Sequence, residues 1–488
     1  MNRSGAPMRP DRRGLLRAAA ATLGAGLVPA ALAEAAQTFD VIVVGGGLSG
    51  LTAARELVRG GRSVALLEAR ERVGGCTWTV PVGARRYDIG GQFVGPSQDR
   101  VRALVAEFGL RLQTVYSEGR HIWELPDRRM EFSGDVPSLS FLWASGLSLA
   151  AKAELGLLNF RMDRLAHSVG SAAPWAAPDA AALDALSLEQ WVAQHSSSAS
   201  IPPMIKVMTR AVLGADPAEI STLFWAYYTA QCDSVEMLIN GTGGAQDSVI
   251  EGGSQQLSLR LAQQLGAAVQ LKQPVRRVAQ EQDGVEVQTD QGRWRGRYAV
   301  MALPPSMCAA IEFGPALPDD RRELQGRMPM GRYAKVVLTY QQPFWRERGY
   351  AGDVASPLGP IVASYDDSSP EGAALLGFIG GDSERAWSAL PPEGRQAAVL
   401  DCIARWFGAD APQPLAYAER DWVLDDWTRG GPVSLMQPGA LSRLGPALRR
   451  PAGRIHWAGT EAAPRWSGYM DGAIRAGEQA AKAVLARS

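Results

Sequence analysis

A glycine-rich turn is the first feature of this sequence whose residue types and spacing could do chemistry. Gly45-Gly46-Gly47-Leu48-Ser49-Gly50 follows a short apolar run and precedes an amphipathic one. In such a turn Gly45 permits the tight bend, Gly47 lets the backbone approach a pyrophosphate, and Gly50 lets the helix pack against the strand. The free N–H groups at the start of the helix attract phosphate. The turn therefore predicts a dinucleotide site.

An acidic residue and two more glycine pairs extend this site. Glu68 ends the next apolar run, 18 residues beyond Gly50, where a carboxylate can accept hydrogen bonds from a ribose diol. Gly74-Gly75 and Gly90-Gly91 supply further places where backbone can meet a ligand. One NAD site does not need these additions, whereas a longer, buried FAD would use them, so the sequence favours FAD.

Lys335 is a second candidate for chemistry. In Gly331-Arg332-Tyr333-Ala334-Lys335-Val336-Val337-Leu338 the alternation of a strand places it on the same face as Tyr333 and Val337. That is an unusual place for a solvated lysine. Burial statistics alone favour a surface or salt-bridged strand lysine, because lysine is rarely buried without purpose.

The elements that must position these residues follow from short apolar patterns. Runs without alternation predict parallel strands buried on both faces, and one-sided patterns predict helices. No internal repeat interrupts them. The predicted strands are residues 40–44, 63–67, 299–303 and 454–458, the predicted helices are 51–59 and 472–485, residues 138–235 are helix-like, and 172–182 is a predicted surface loop.

Composition bounds the class of protein. The 488 residues exceed one compact core, so two domains are expected. Lysine plus arginine and aspartate plus glutamate both number 50, so no basic field exists to attract nucleic acid. The four cysteines contain no CxxC pair and the four histidines share no ligand spacing. We therefore expect neither a disulfide framework nor a metal site.

The first 33 residues have the pattern of an export signal. Arg12-Arg13 precede a short apolar run that ends in Ala31-Leu32-Ala33, a small-x-small cleavage form. Arg17 interrupts the run, so a permanent membrane helix is the weaker interpretation. We expect residues 1–33 to be a twin-arginine signal peptide, read by the twin-arginine export machinery, and the mature protein to be soluble in the periplasm.

Ordered motifs along nearly the whole chain add to the glycine turn. They are Leu67-Glu68-Ala69-Arg70, Arg72-Val73-Gly74-Gly75, Gly90-Gly91-Gln92-Phe93-Val94-Gly95-Pro96, Gly243-Gly244-Ala245-Gln246, Gly252-Gly253-Ser254, Trp457-Ala458-Gly459-Thr460-Glu461 and Trp466-Ser467-Gly468-Tyr469-Met470-Asp471-Gly472-Ala473. From about residue 39 to the C-terminus, the chain resembles the flavin monoamine oxidase family.

The resemblance implies an α/β fold. A Rossmann-type FAD-binding domain, glutathione-reductase-like, would use residues 38–112, 251–310 and 425–488. A discontinuous α+β substrate-binding domain would use residues 113–250 and 311–424. The implied activity is oxidation of a small amine to an imine, with oxygen reduced to hydrogen peroxide, and a homodimer is a further expectation.

The resemblance also assigns roles. Lys335 would hold a water against flavin N5 and assist oxygen reduction, and Tyr469 would form one wall of an aromatic cage. Trp422 and Trp466 are equally compatible with core packing. The expected cofactor contacts are Gly45, Gly47, Leu48, Ser49, Gly50, Glu68, Ala69, Arg70, Gly75, Cys76, Gly91, Gln92, Val275, Trp422, Gly459, Thr460, Glu461, Tyr469 and Met470. The expected substrate contacts are Phe93, Met237, Leu238, Gln246, Val433, Trp466 and the region of Tyr365.

Three positions depart from the family pattern. Pro432 stands where the mammalian enzymes carry a flavin-linking cysteine, so FAD is expected to be non-covalent. Val433 replaces the tyrosine of the second cage wall, which implies an open or reshaped cage. Cys76 replaces an arginine near the pyrophosphate, and either lies near the cofactor or is a buried, inert cysteine.

The candidate pocket residues suggest a mostly apolar cavity with one amide, which favours an aromatic or arylalkyl amine over a polyamine. Two rival enzymes share the fold. An L-amino-acid oxidase would need an arginine for the carboxylate, and Arg85, Arg120 and Arg332 are candidates. A dehydrogenase would pass electrons to a quinone or cytochrome. A flavin-binding protein without activity is disfavoured because Lys335 and Tyr469 are both present.

Overall fold

The structure, a computed structural model, describes residues 37–134, 136–370 and 372–487. The predicted signal peptide lies outside these residues. Within the described ranges, twenty strands form in chain order: β1 (Gln37–Val44), β2 (Val64–Leu67), β3 (Thr79–Val82), β4 (Arg85–Asp88), β5 (Phe93–Val94), β6 (Leu112–Thr114), β7 (Arg120–Leu125), β8 (Arg128–Phe132), β9 (Ser248–Ile250), β10 (Val269–Gln270), β11 (Val275–Gln280), β12 (Val285–Thr289), β13 (Gly292–Met301), β14 (Glu312–Gly314), β15 (Tyr333–Tyr340), β16 (Tyr350–Ala355), β17 (Ala363–Asp366), β18 (Ala373–Gly380), β19 (Ala416–Asp421) and β20 (Ile455–Trp457).

Helices occur along the whole described chain. They are α1 (Leu48–Arg59), α2 (Asp99–Glu107), α3 (Leu139–Ala144), α4 (Leu149–Val169), α5 (Ala180–Ala185), α6 (Leu188–His195), α7 (Ile201–Leu213), α8 (Thr222–Ala230), α9 (Val235–Ile239), α10 (Gln255–Leu265), α11 (Pro305–Cys308), α12 (Asp319–Arg327), α13 (Phe344–Glu347), α14 (Asp382–Ser388), α15 (Pro392–Phe407), α16 (Leu441–Leu444) and α17 (Met470–Leu485). Seven of these helices, α3 to α9, lie between residues 139 and 239. Short 3₁₀ turns occupy Pro174–Ala176, Gly266–Ala268, Gly445–Leu448 and Thr460–Ala462.

The first sheet carries the glycine turn. Its strands run in the order β10-β2-β1-β13-β12-β11-β14, and β20 also pairs with β13. β1 lies parallel to β2 and β13, and its residues Val41, Ile42 and Val43 are fully buried. Helices α1, α10 and α17 pack together over one face. This confirms the Rossmann-type arrangement, because α1 leaves the end of β1 directly through the turn.

The second sheet has the order β19-β15-β18-β17-β16-β7-β8. Every residue of β15 is buried, including Lys335. Along one row, Lys335 stands opposite Phe378, Phe378 opposite Ala363, and Ala363 opposite Ala355, which is level with Trp123. Residues opposite each other point to the same face of a sheet. One face of five strands can therefore form a continuous wall.

Two local expectations differ from the structure. The strand expected at 299–303 begins earlier, at Gly292, because antiparallel pairing with β12 extends β13. The loop expected at 172–182 contains a 3₁₀ turn and the start of α5, because Pro174 and Ala180 are buried against the helical layer. Residues 138–235 are otherwise helical, as expected.

The two-domain division stays a prediction, and sheet membership supports it. The first sheet takes its strands from residues 37–67, 269–314 and 455–457, while the second takes them from 120–132 and 333–421. β14 extends the second of these three segments a few residues beyond the expected bound at 310. Within the described part of the chain, no helix is both long and apolar enough to cross a membrane.

Candidate active site

A long cavity runs between the two sheets, and the glycine turn forms one end of it. Gly45 has a φ of +108°, and a Cβ there would come within 2.6 Å of the Ala302 carbonyl oxygen. A Cβ on Gly50 would come within 1.9 Å of the Gly45 oxygen, so only glycine lets α1 pack this closely. Gly47, Leu48 and Ser49 line the cavity, and no side chain caps the first N–H groups of α1. The open turn and helix start can hold an anion.

Glu68 closes the nucleotide end of the cavity. Its carboxylate is almost fully buried and accepts hydrogen bonds from the backbone N–H groups of Gly46 at 2.7 Å and Arg70 at 2.8 Å. The Arg70 guanidinium is paired in turn with Asp425. A smaller adjoining cavity, lined by Ala69 and Val275 among others, shares Glu68 and Arg70 with the main one. Ala69 and Val275 therefore lie beside the nucleotide end of the main cavity but do not line it.

Cys76 is exposed on the cavity wall, so the expectation that this cysteine is buried is wrong. Gly75, which precedes it, has a φ of +56° and also lines the cavity. The surrounding protein raises the pKa of the Cys76 thiol to about 11, so it is neutral at pH 7. Arg72 lies close by, but it donates to the Gly75 carbonyl at 3.1 Å and stacks over Trp78.

Lys335 lies in the interior and points to the glycine pair at residues 90 and 91. Its ammonium group donates to the Gly90 carbonyl oxygen at 3.2 Å and to the side-chain oxygen of Gln92. The Gln92 amide donates onward to Asp367 at 3.0 Å. Gly91, Gln92 and Lys335 all line the cavity, so this hydrogen-bonded series connects the cavity to the partly buried carboxylate of Asp367.

Burial shifts the pKa values of the titratable groups around Lys335 in the direction that favours their neutral forms. It lowers the pKa of Lys335 to about 8, an effect that Asp367 and Asp88 oppose. It raises the pKa of Asp367 to about 7, with Lys335 opposing the shift. Burial also raises the pKa of Asp88, although Thr79 and Ser254 oppose this shift by donating hydrogen bonds to its carboxylate. The group therefore changes charge within the physiological pH range, which is typical of functional sites.

The start of the last helix forms another part of the cavity. Gly459, Thr460, Glu461 and Met470 line it, and no side chain caps α17. Glu461 accepts a hydrogen bond from Ser434 at 2.7 Å, and burial raises its pKa. Its second oxygen is buried and has no hydrogen-bond partner among the described residues. That oxygen can accept from a ligand hydroxyl.

Tyr469 lines the cavity beside a second tyrosine that the sequence did not suggest. The rings of Tyr469 and Tyr228 lie 6.4 Å apart and are tilted by 32°. Val433 is fully buried behind them, where a Cβ on Gly468 would touch it at 2.9 Å. Trp466 is buried and packs edge-on against Tyr469 with ring centroids 4.9 Å apart. Val433 and Trp466 therefore support the cavity from outside its wall.

Most of the remaining predicted contacts line the cavity, whereas Met237 lies behind its wall. Phe93, Leu238 and Gln246 line the cavity, whereas Met237 packs against the helical core. Trp422 lines the cavity and donates to the Ile89 carbonyl at 3.1 Å. The cavity is mostly apolar, as expected, but the one expected amide is joined by further polar residues: His121, Asn240 and Asp353. Their strands and loops carry no local motif, so sequence reasoning missed them.

The cavity fits FAD along its length. Glu68 can accept from a ribose diol, the open start of α1 can hold a pyrophosphate, and the unpartnered oxygen of Glu461 can accept from a ribityl hydroxyl. Lys335 and Tyr469 then lie where a flavin ring would follow. Among the described residues, no group of histidine, cysteine and acidic side chains could hold a metal ion.

Comparison with known proteins agrees with this geometry. Residues 48–485 match the family described as flavin containing amine oxidoreductase. A protein of Mycobacterium tuberculosis named as a flavin-containing monoamine oxidase is 38% identical over 92% of this chain and 97% of its own length. An L-amino acid dehydrogenase of Synechocystis is 35% identical over 94% of this chain and 97% of its own.

A solved structure agrees as closely. Cyclohexylamine oxidase from Brevibacterium oxydans superposes with a TM-score of 0.86 at 37% identity, covering 92% of this chain and 99% of its own. The fold is thus shared along nearly the full length of both chains. The chain belongs to the flavin-containing amine oxidoreductase family.

Proposed function

We propose that this flavin-dependent amine oxidase acts on an aromatic or arylalkyl amine. The imine it forms would be hydrolysed to an aldehyde and ammonia or an amine, and oxygen would be reduced to hydrogen peroxide. The observation that carries the proposal is a belt of aromatic rings on the cavity wall beside Lys335. Its members are Phe93, Tyr333, Tyr365 and Phe378, with neighbouring centroids 5.3–6.1 Å apart.

The cofactor is FAD, held without a covalent bond, since Pro432 lines the cavity and carries no nucleophile. FAD supplies the acceptor for a hydride from the carbon beside the amine nitrogen. The protein positions the amine and excludes water. Tyr469 and Tyr228 present neutral phenols, because burial raises the pKa of both hydroxyls. Their ring faces suit an amine that must approach without strong hydration.

The arrangement of arginines favours an amine over an amino acid. Arg120 pairs with Glu131, Arg332 pairs with Glu384, and Arg85 donates to Ser369. None of these three described residues lines the cavity. Arg70 does line it, but at the nucleotide end and paired with Asp425. A substrate carboxylate beside the flavin position would therefore have no guanidinium partner from this set.

Oxygen is proposed as the acceptor because Lys335 can place a positive charge where oxygen would gain an electron. An anaerobic screen of amines for flavin bleaching, followed by admission of oxygen, tests both halves. Bleaching by arylalkyl amines and rapid reoxidation are expected. Bleaching by amino acids only would overturn the substrate class, and slow reoxidation by oxygen but fast reoxidation by a quinone would overturn the acceptor.

We further propose that residues 1–33 direct export through the twin-arginine route to the periplasm. Arg12-Arg13 and the Ala31-Leu32-Ala33 site support this. The route carries folded proteins, which suits one that takes up FAD before export. A homodimer stays a prediction, which sedimentation of the mature protein would check.

A further inference from the structure

A histidine–carboxylate pair lines the same cavity and has no part in the reaction proposed above. His121 Nδ1 lies 3.2 Å from Asp353 Oδ2, and the two side chains are only 13% and 16% exposed. Both residues belong to the cavity wall. The His121 ring also stacks on Phe132 with centroids 5.6 Å apart, which fixes its plane and so the direction from which it meets Asp353.

The pair is separated from Lys335 by a known number of strands. Lys335 is on β15, Asp353 on β16 and His121 on β7, and the sheet order is β15-β18-β17-β16-β7. Three strand spacings place β16 about 14 Å from β15, and four place β7 about 19 Å away. The pair thus marks the end of the wall remote from Lys335.

The aromatic belt fills the distance between these two ends. Phe378 stands directly opposite Lys335 on β18, and Tyr365 follows on β17. Phe93 packs edge-on against both, with centroids 6.1 Å and 5.3 Å away. Burial raises the pKa of the Tyr365 hydroxyl, and the charge of Asp353 raises it further. The Asp353 carboxylate is therefore close enough to Tyr365 to influence its hydroxyl, and both residues line the same cavity.

We propose that Asp353, oriented by His121, is a subsite for a hydrogen-bond donor at the end of the substrate remote from the oxidised amine. The donor is a hydroxyl or an ammonium group, since both donate a hydrogen bond to a carboxylate. The body of the substrate packs on the belt, and its reactive amine reaches Tyr469. This inference rests on the proposed function and narrows its substrate class to amines with a second polar end.

The test compares pairs of amines that differ only at the remote end. Tyramine against phenethylamine tests a hydroxyl, and hexamethylenediamine against hexylamine tests an ammonium group. The wild-type protein, loaded with FAD, should prefer the donor-bearing member of at least one pair in kcat/KM. Asp353→Asn, with equal FAD content, should lower that preference roughly ten- to a hundredfold, as expected for a hydrogen bond to a charged group. Asp410→Asn, an exposed aspartate on the Arg348 ion pair, is the matched control and should keep the preference.

A binding measurement separates this inference from the proposed function. Analogues of tyramine and phenethylamine with two methyl groups on the carbon beside nitrogen have no hydride to transfer from that carbon, so they bind without being oxidised. Their Kd can be read from the flavin spectrum. Where the tyramine pair shows the preference, the hydroxyl-bearing analogue should bind more tightly to the wild type but not to Asp353→Asn. The subsite would be overturned if Asp353→Asn changed kcat/KM equally for both members of each pair. It would also be overturned if the wild type preferred the donor-bearing amine in neither pair. Failure of every amine to bleach the flavin would overturn the proposed function instead.

Discussion

At the scale of single residues, Lys335 decides how the two halves of the reaction can be separated. Lys335→Met keeps an apolar stem in place of the lysine chain and removes the ammonium group that contacts Gly90 and Gln92. Hydride transfer needs no positive charge there, so anaerobic reduction by an amine should slow only modestly. Oxygen gains negative charge as it is reduced, so reoxidation should slow by about 10²–10³.

Stopped-flow measurement of the two steps checks this expectation. Lys272→Met, at an exposed lysine, serves as the control and should alter neither step. Reoxidation of Lys335→Met at the wild-type rate would mean that Lys335 is a structural residue of β15 or that oxygen is not the natural acceptor.

The lowered pKa of Lys335 also predicts a pH dependence. A lysine with a pKa of about 8 is a cation below that pH and becomes neutral above it. If the charge assists oxygen, the rate of reoxidation should fall as pH rises through about 8. The same profile measured on Lys335→Met should lack this step. A flat wild-type profile between pH 7 and 9 would contradict the role of the charge.

At the scale of elements, the end of β2 and the turn after β1 form one unit. Glu68 accepts hydrogen bonds from the N–H groups of Gly46 and Arg70, and it faces the nucleotide end of the cavity. Glu68→Ala removes the carboxylate that would bind the ribose. Since hydrogen bonds to charged groups are worth about 1.5–3 kcal/mol each, the Kd for FAD should rise roughly ten- to a hundredfold.

Flavin content after dialysis and titration of the apoprotein with FAD measure this effect. Glu71→Ala, three residues along and exposed, is the control and should bind FAD as the wild type does. An unchanged Kd in Glu68→Ala would show that Glu68 orders the turn without touching the ribose.

At the scale of the whole molecule, the N-terminal segment predicts where the enzyme works. Replacing Arg12 and Arg13 with lysines keeps the charge but removes the pair that the export receptor reads. The variant should stay in the cytoplasm with its FAD bound, as cell fractionation and flavin fluorescence would show. Arg17→Lys leaves the pair intact and should be exported. Normal export of the double variant would point to a Sec-type signal.

The sequence by itself determined the nucleotide-binding half of the site. The strand, the glycine turn, the helix and the acidic residue follow one another in the sequence. Their roles depend on local backbone conformation, so the sequence pattern alone predicts them. The structure confirms that Gly45, Gly47 and Glu68 line one cavity. The burial of Lys335 was visible in part, because alternation placed it on an apolar face.

Only the tertiary structure decided what faces the other half of the cavity. Asp353 and His121 are far apart in sequence and meet because β16 pairs with β7, a long-range register that no local pattern encodes. Tyr228 reaches Tyr469 from a distant helix, and Cys76 opens onto the cavity instead of the core. Local propensity fixes elements, whereas the packing of elements distant in the chain selects which side chains share a site.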